Sequence, residues 1–460
     1  MGNVAILMQR AGHTVAGSDQ GIYPPMSTVL QDAGIQGFEG WNASNLVNFK
    51  PELVVVGNAV TRGNPEVEFL LRTKQFNYTS LPELIENQLL SDRRRIVITG
   101  THGKTTTTAL TAWLLKEAGK DPGWLIGGVP NSLTSGSELG AGSAPFVLEG
   151  DEYDSAFFDK RSKFIHYRPD VLVINNIEFD HADIFRDLAD VKRTFNHLIR
   201  IVPDNGVILA NGDDQVIREL LPVAWTQVRF VGTGEDNDFV ISDFTESPGE
   251  SSFTITGQGG HWPIKTRLNG IFNARNTAMA LLASGYSLDY ENPGALAASI
   301  DFESYEGVAR RQDILLDSES LRVIEDFAHH PTAISLCIES FKNCYPEHEI
   351  VAVFEPRSNT SATKVLQEAF TSALSAATRV FISPVHRGEI YSDEVRIDTQ
   401  SMATLLENSC LSASAYQTNE GLFEGLKELP PIEKRLVLLF TNGSFGAPLK
   451  AYLESVKGEQ

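Results

Sequence analysis

Cysteine is scarce, with only 3 in 460 residues. Cys337, Cys344 and Cys410 are odd in number and have no CxxC spacing. That excludes a disulfide framework and a cysteine zinc site, and it fits reduced thiols in a cytoplasmic protein. HExxH and HxH spacings are also missing, which argues against a zinc protease. No stretch of about 18 apolar residues occurs, so no helix is expected to enter a membrane. No charged-then-apolar leader opens the chain. Positive charge is in deficit: 38 Lys and Arg face 59 Asp and Glu, for a net charge of −21. That balance argues against nucleic acid as a partner, and it means that an anionic substrate must be met by local donors. Internal repeats, low-complexity tracts and heptads are absent, which excludes solenoids and coiled coils.

What remains is an ordinary globular composition, 42% hydrophobic and 21% charged. A chain of 460 residues is too long for one ordinary core, so two to four domains are expected. The most informative stretch is Arg95-Ile-Val-Ile-Thr-Gly100-Thr-His-Gly103-Lys104-Thr105-Thr106. A buried strand, Ile96 to Ile98, breaks at Gly100, and a helical pattern begins near Thr105. Glycines at 100 and 103 let consecutive N–H groups, with those of Thr101 and His102, curl around an anion at a helix N-terminus. Lys104 suits β- and γ-phosphates, and the Thr105 hydroxyl suits Mg²⁺. Only two residues separate the glycines, so this is a shortened phosphate loop. The alternative is a glycine-rich turn that merely starts a helix. The order strand, glycines, Gly-Lys-Thr, helix favours the phosphate loop.

Around this stretch the chain reads as α/β. Residues 1–90 alternate helix and strand: a helix from Val4 to Ala11 stopped by Gly12, a strand Thr14–Asp19, and a strand Leu53–Val56 followed by Gly57-Asn58. An acid closing the second strand of such a sheet often takes a ribose hydroxyl, which makes Asp19 a nucleotide-sugar candidate, or else a turn residue. A first strand and glycine loop would normally precede that opening helix. Ser91-Asp92-Arg93-Arg94-Arg95 is a charged junction. Residues 91–303 then form a central segment, and residues 304–460 form a third α/β segment. Its strands are Arg322–Ile324, Ile350–Phe354, Arg379–Ile382 and Leu436–Phe440, each ending in polar turn residues.

Several strand ends carry chemistry. Glu149, closing Phe146–Glu149, fits a second Mg²⁺ ligand beside Thr105, with Asp151, Glu152 and Asp154 as alternatives. His181 lies beyond Val171–Ile174 and after Asn175-Asn176, where it could hold a metal or orient a phosphate; a lone histidine can equally be a cap. Asp326-Phe-Ala-His329-His330-Pro331 is a second dense cluster. Arg310-Arg311 could reach phosphates when domains close, or be a solvated pair. Lys160-Arg-Ser-Lys163 with Arg168 is a basic island that could meet an anion, with a solvated face slightly preferred.

Taken together, these motifs resemble the Mur ligases of peptidoglycan synthesis. The matching stretches are Gly100–Thr106, Glu149-Gly-Asp-Glu-Tyr-Asp154, Asn175-Asn-Ile-Glu-Phe-Asp-His181, Asn273-Ala-Arg-Asn276, Arg310-Arg311 and Asp326–Pro331. The loop histidine and the His-His-Pro motif point to the alanine-adding branch. Gly17-Ser-Asp19 with Tyr23-Pro-Pro-Met26, Gly57-Asn58 through Arg62-Gly-Asn-Pro-Glu66, Phe157–Lys163 with His166-Tyr-Arg-Pro169, and Arg357-Ser-Asn-Thr360 are closer to its recycling relative.

The resemblance implies a UDP-binding Rossmann-like domain, a central P-loop ATPase domain and a C-terminal Rossmann-like domain. It also implies an ATP- and Mg²⁺-dependent ligase that joins UDP-N-acetylmuramate to the murein tripeptide L-Ala-γ-D-Glu-meso-diaminopimelate through an acyl phosphate. Free L-alanine as acceptor, or a nucleotide-binding module that has lost catalysis, are the alternatives. A folate-type ligase shares the core but not the Asp326–Pro331 cluster. Carried over by residue, Lys104 contacts phosphates, and Thr105, Glu149 and His181 serve metal. Asn273 and Asn276 approach ATP near its base, while Arg311 and Asp326 arrive on closure and His329 and His330 lie near the reacting groups. Ser18, Asp19, Asn58 and Asn64 belong to the sugar-nucleotide side, and Arg357, Ser358 and Asn359 to the peptide. The carbamylated lysine of many relatives is missing at Thr194-Phe-Asn-His197, as in the alanine-adding branch. The expected assembly is a monomer or weak dimer in the bacterial cytoplasm.

Overall fold

The structure, a computed structural model, describes residues 1–22, 26–409 and 411–457. Tyr23-Pro24-Pro25 of the recycling-type motif and Cys410 lie outside the described residues. Cys337 and Cys344 are free and buried. Among the described residues no helix is long and apolar enough to cross a membrane.

The phosphate-loop strand Arg95–Thr99 is central to a ten-stranded sheet. Val171–Ile174 runs parallel on one side of it and Phe146–Glu149 parallel on the other. Ile96, Val97 and Ile98 are all fully buried, which is why this strand reads as an unbroken apolar run. Ile96 and Ile98 face Leu110, Trp113 and Leu114 of the helix Lys104–Glu117, together with the helix Ile271–Ser287. Val97 faces the opposite layer, with Phe164, Phe195 and Leu198. The sheet continues through Val207–Asn211 and Gln227–Gly232, then into an antiparallel ribbon of Phe239–Ser247, Glu250–Gly257 and Gly260–Thr266.

The N-terminal strands pair two by two: Ala16–Asp19 with Gln36–Glu39, and Leu53–Val56 with Asn77–Ser80. The helix Gly2–Arg10 buries Val4, Leu7 and Met8 in the same cluster as Leu84, Ile85 and Phe146, so it rests against the central sheet. Ser80 caps the next helix, Leu81–Leu89, its Oγ accepting the Glu83 N–H, while the Glu83 carboxylate takes the Thr79 hydroxyl.

A six-stranded sheet forms the C-terminal part, in the order Asp313–Asp317, Leu321–Asp326, Arg435–Phe440, Glu349–Phe354, Arg379–Ile382, Ser412–Ala415. All but the first strand are parallel. Their carboxyl ends, including Asp326 and the turns after Phe354, Ile382 and Phe440, lie on one edge, where ligands bind in such sheets.

Candidate active site

Three elements converge where Arg95–Thr99 ends. The loop Gly100–Gly103 leaves the strand, the connection Asn175–His181 leaves the neighbouring strand, and the helix Ile271–Ser287 supplies Asn273 and Asn276. Gly100 has φ 136° and Gly103 φ 83°, both in the region that glycine tolerates. Space is restrictive as well: a Cβ on Gly103 would come within 2.9 Å of Asn276 Oδ1, and one on Gly100 within 3.0 Å of Asn175 Cβ. Asn176 pins the loop from the side. Its Oδ1 accepts the His102 N–H at 2.9 Å, and its Nδ2 donates to the His102 carbonyl at 3.1 Å and to His102 Nδ1 at 3.0 Å. No side chain caps the helix Lys104–Glu117, so its first N–H groups are open to an anion.

The end of the strand Phe146–Glu149 and the loop after it supply three acids, each with its own partner. Glu149 accepts the Gly127 N–H at 2.6 Å and the Thr105 hydroxyl at 3.2 Å. Asp151 pairs with Lys163 at 2.6 Å. Glu152, buried, bridges Lys104 Nζ at 3.2 Å and His181 Nε2 at 3.1 Å. Lys104 also donates to the Gly100 carbonyl at 2.5 Å, so its ammonium is folded over the loop. Thr105 and Glu149 thus present two oxygens side by side, a donor set that fits Mg²⁺. His181 adopts a left-handed backbone with φ 56° and lies 4.3 Å from the Tyr153 ring. Burial works against its proton, but Glu152 and Asp180 outweigh that and hold its pKa above the ordinary value.

The opposite wall comes from the C-terminal segment. Arg311 Nη2 donates to Thr105 Oγ1 at 3.4 Å, and its guanidinium lies 4.5 Å from the centre of the Phe327 ring. Asp326 accepts the Gln312 N–H at 2.9 Å and the Ala328 N–H at 2.7 Å. It therefore orients Arg311 and the histidine turn from behind. Burial pushes its carboxyl up, against the pull of Arg311. His329 is driven down to about 4 by burial, with Asp180 opposing, and is neutral at ordinary pH.

His330 sits beside the phosphate loop. Its Nε2 is 3.3 Å from the Phe179 carbonyl and its Nδ1 3.3 Å from Glu178 Oε2. Glu178 also takes His102 Nε2 at 2.9 Å and the Thr332 hydroxyl at 2.5 Å. The donor atoms of His102, Glu178 and His330 lie within 4.8 Å of one another, a reach that would suit a metal. Asn176, however, donates to His102 Nδ1 and so forces the proton onto Nε2. That nitrogen gives a hydrogen bond to Glu178 instead of ligating.

These groups line one cavity of about 1140 Å³, which runs from the helix Gly2–Arg10, past Lys163, Glu149 and Lys104, to Arg311, Asp326 and His329. Its far end is walled by Phe272, Leu336, Asn273 and Arg275, the last held by Asp213 at 2.7 Å. Asn273 and Asn276 are buried and bonded to each other at 3.1 Å, so much of their capacity is spent on the protein. Ser18, Asp19, Asn58 and Asn64 do not line this cavity. Ser18 is bonded to Glu66 at 2.6 Å, Asp19 and Asn58 are exposed strand-end residues, and Asn64 Oδ1 caps the helix Pro65–Thr73.

Arg357 and Asn359 line a second cavity, of about 320 Å³, with His386, Arg387, Ile390, Tyr391 and Asn442. Ser358 does not line it; its hydroxyl accepts the Ser361 N–H at 3.0 Å and closes the turn. Sequence reasoning singled out none of Gly127, His386, Arg387, Tyr391 and Asn442, and reached Arg275 only inside the Asn273–Asn276 motif. Only Gly127-Gly128, a glycine pair just past a strand, gave a local signal.

Residues 98–284 match the family description Mur ligase middle domain, residues 310–424 Mur ligase, glutamate ligase domain, and residues 1–89 Mur ligase family, catalytic domain. The chain is 35% identical to the UDP-N-acetylmuramate–L-alanyl-γ-D-glutamyl-meso-2,6-diaminoheptandioate ligase of Haemophilus influenzae, over 99% of this chain and 97% of that one. It is 39% identical to the Escherichia coli enzyme of the same name, over 84% and 83%. A crystal structure of a murein peptide ligase from Psychrobacter arcticus superposes with a TM-score of 0.70 at 31% identity, covering 99% of this chain and 96% of that one.

Proposed function

This chain belongs to the Mur ligase family, and we propose from that premise that it joins the carboxylate of UDP-N-acetylmuramate to the amine of L-alanyl-γ-D-glutamyl-meso-diaminopimelate, consuming ATP. The observation that carries the reading is the single cavity in which Lys104 and Thr105 face Arg311 and His329, with the first helix at its other end. An ATP-dependent amide ligase must bring a phosphoryl donor, an acid and an amine to one place.

The chemical need is a leaving group. A carboxylate cannot expel oxide, but an acyl phosphate can expel phosphate. Lys104 and the open N–H groups of its helix hold the terminal phosphates of ATP. Thr105 and Glu149 would hold Mg²⁺, which would neutralise phosphate charge, and Glu152 and His181 form a carboxylate–imidazole pair beside Lys104. Arg311 adds positive charge from the opposite wall, where charge develops during transfer. Asn273 and Asn276 lie toward the base, against Phe272 and Leu336. His329, uncharged, offers the incoming ammonium a neutral neighbour. Arg357 and Asn359, with His386 and Arg387, suit the distal carboxylates of a peptide. That second cavity favours a peptide over free L-alanine, which would have nothing to place there. The bacterial cytoplasm, where ATP and UDP-sugars are made, is the matching compartment.

Phosphate release from ATP with UDP-N-acetylmuramate and a panel of amines tests the reading. Release is expected with the tripeptide. Release with L-alanine and none with the tripeptide would transfer the chain to the alanine-adding reaction. ATP binding without any release would make it a nucleotide-binding module.

A further inference from the structure

The basic island at residues 160–168 divides in the structure. Lys160, Arg161 and Arg168 keep 68%, 63% and 66% of their side chains exposed and pair at the surface with Asp154, Asp159 and Glu86. Exposed pairs of this kind contribute little. Lys163 turns the other way. Its side chain is only 17% exposed and lines the large cavity, with Nζ 2.6 Å from Asp151 Oδ2 and 5.7 Å from the centre of the Tyr153 ring.

Its place on the cavity wall is specific. Asp151, the partner of Lys163, lines the same cavity as Lys104. Lys104 belongs to the phosphate loop. The turn that begins at Lys163 packs against the helix Leu81–Leu89, and Leu81, Ile85 and the first helix line the same cavity. An acid held at Lys163 would share that cavity with phosphates held at Lys104.

Building on the function proposed above, we propose that Lys163 binds the carboxylate of the sugar-linked substrate. It exchanges Asp151 for that carboxylate and presents it, charge-neutralised, to the γ-phosphate. In the step that follows, a carboxylate oxygen bonds to the γ-phosphorus and the bond to the β,γ-bridging oxygen breaks. ADP leaves with the electron pair and no proton is transferred. Two anions must approach each other here, and the lysine lowers their repulsion.

The test is calorimetric binding to the full chain, with UDP-N-acetylmuramate and with UDP-N-acetylglucosamine, which has the diphosphate but not the carboxylate. Lys163→Met should weaken binding of the acid about 30-fold, the value of one lost charge-assisted contact. Binding of UDP-N-acetylglucosamine and of ATP should stay within about twofold, and Lys163→Arg should recover most of the loss. Asp151→Asn removes the competing acid and should leave binding of the acid as tight or tighter, which keeps the idea testable if Lys163→Met does not fold. Unchanged binding of the acid by Lys163→Met, equal loss for both sugars, or weaker binding of the acid by Asp151→Asn would each overturn the proposal. Wild-type protein that binds neither sugar would instead defeat the functional reading on which it rests.

Discussion

Glu149 is the residue on which charge and geometry most clearly part company. One oxygen accepts the Gly127 N–H and the other the Thr105 hydroxyl. An amide oxygen could still accept from Gly127, so Glu149→Gln should fold. What the substitution removes is negative charge beside a hard-cation donor. Burial raises the Glu149 pKa while Gly127, Lys104 and Arg311 lower it, so the carboxylate depends on neighbouring cations to stay ionised. A bound cation would help in the same way. The expected outcome is a rise of about tenfold or more in the Mg²⁺ needed for half-maximal phosphate release, with a melting temperature shifted by only a few degrees. An unchanged Mg²⁺ titration would move the ligand role to Asp151, which lines the cavity, or to Glu152, which holds both Lys104 and His181.

At the scale of elements, the connection Asn175–His181 fastens the phosphate loop to the helix Pro331–Cys344 through Glu178. Burial would raise that carboxyl, but the hydrogen bond from His102, the charge effect of nearby His330 and the Thr332 hydroxyl hold it at about 2, against an ordinary 4.5. A depressed carboxyl stabilises the fold above its unfolded pKa, and that stability is lost as pH falls toward the folded value. The window is therefore pH 4.5 down to about 2, and the difference corresponds to at most about 3 kcal/mol. Across that window the urea midpoint of the wild type should fall more steeply than that of Glu178→Gln; parallel curves would show that Glu178 contributes nothing to the joint. The same elements explain what was legible in the sequence. Gly100, Gly103, Lys104 and Glu149 could be read because glycine backbone freedom and strand-end acids are local signals. Arg311, Asp326, His329 and His330 stood out as dense charged clusters, but their roles, like that of Asn273, came only from the order of family motifs, since their meeting depends on long-range packing. Arg387 and Tyr391 gave no pattern at all, because their cavity exists only once three parallel strands stand side by side. The ribbon Phe239–Thr266 went unread although Phe253 and Ile255 alternate with polar residues in the way a half-buried strand requires. Lys163 was visible as part of a basic island, but only burial separates it from the surface lysine three residues earlier.

On the scale of the whole molecule, the site exists only while the C-terminal sheet is seated on the central one. Some of the contacts that seat it lie at the chemistry: Arg311 on Thr105 and Thr332 on Glu178. Others do not. Glu246, on the edge ribbon, accepts the Ser340 hydroxyl at 2.7 Å, the Asn343 amide at 3.2 Å and the Gly270 N–H at 2.9 Å, and none of Glu246, Ser340 and Asn343 lines the cavity. This separation makes seating distinguishable from chemistry. Arg311→Met removes a charge aimed at the transferring phosphoryl group, so kcat should fall by about 10²–10⁴ with the KM for ATP changed little. Glu246→Ala touches no reacting group, and it should lower kcat by a smaller factor, about 3- to 10-fold, by making the seated arrangement a smaller share of the population. Because that loss is a matter of population, saturating acceptor peptide should restore part of it, whereas peptide cannot restore Arg311→Met. If excess peptide rescues both variants equally, or neither, then the two sheets are not held as one catalytic unit by contacts remote from the cavity.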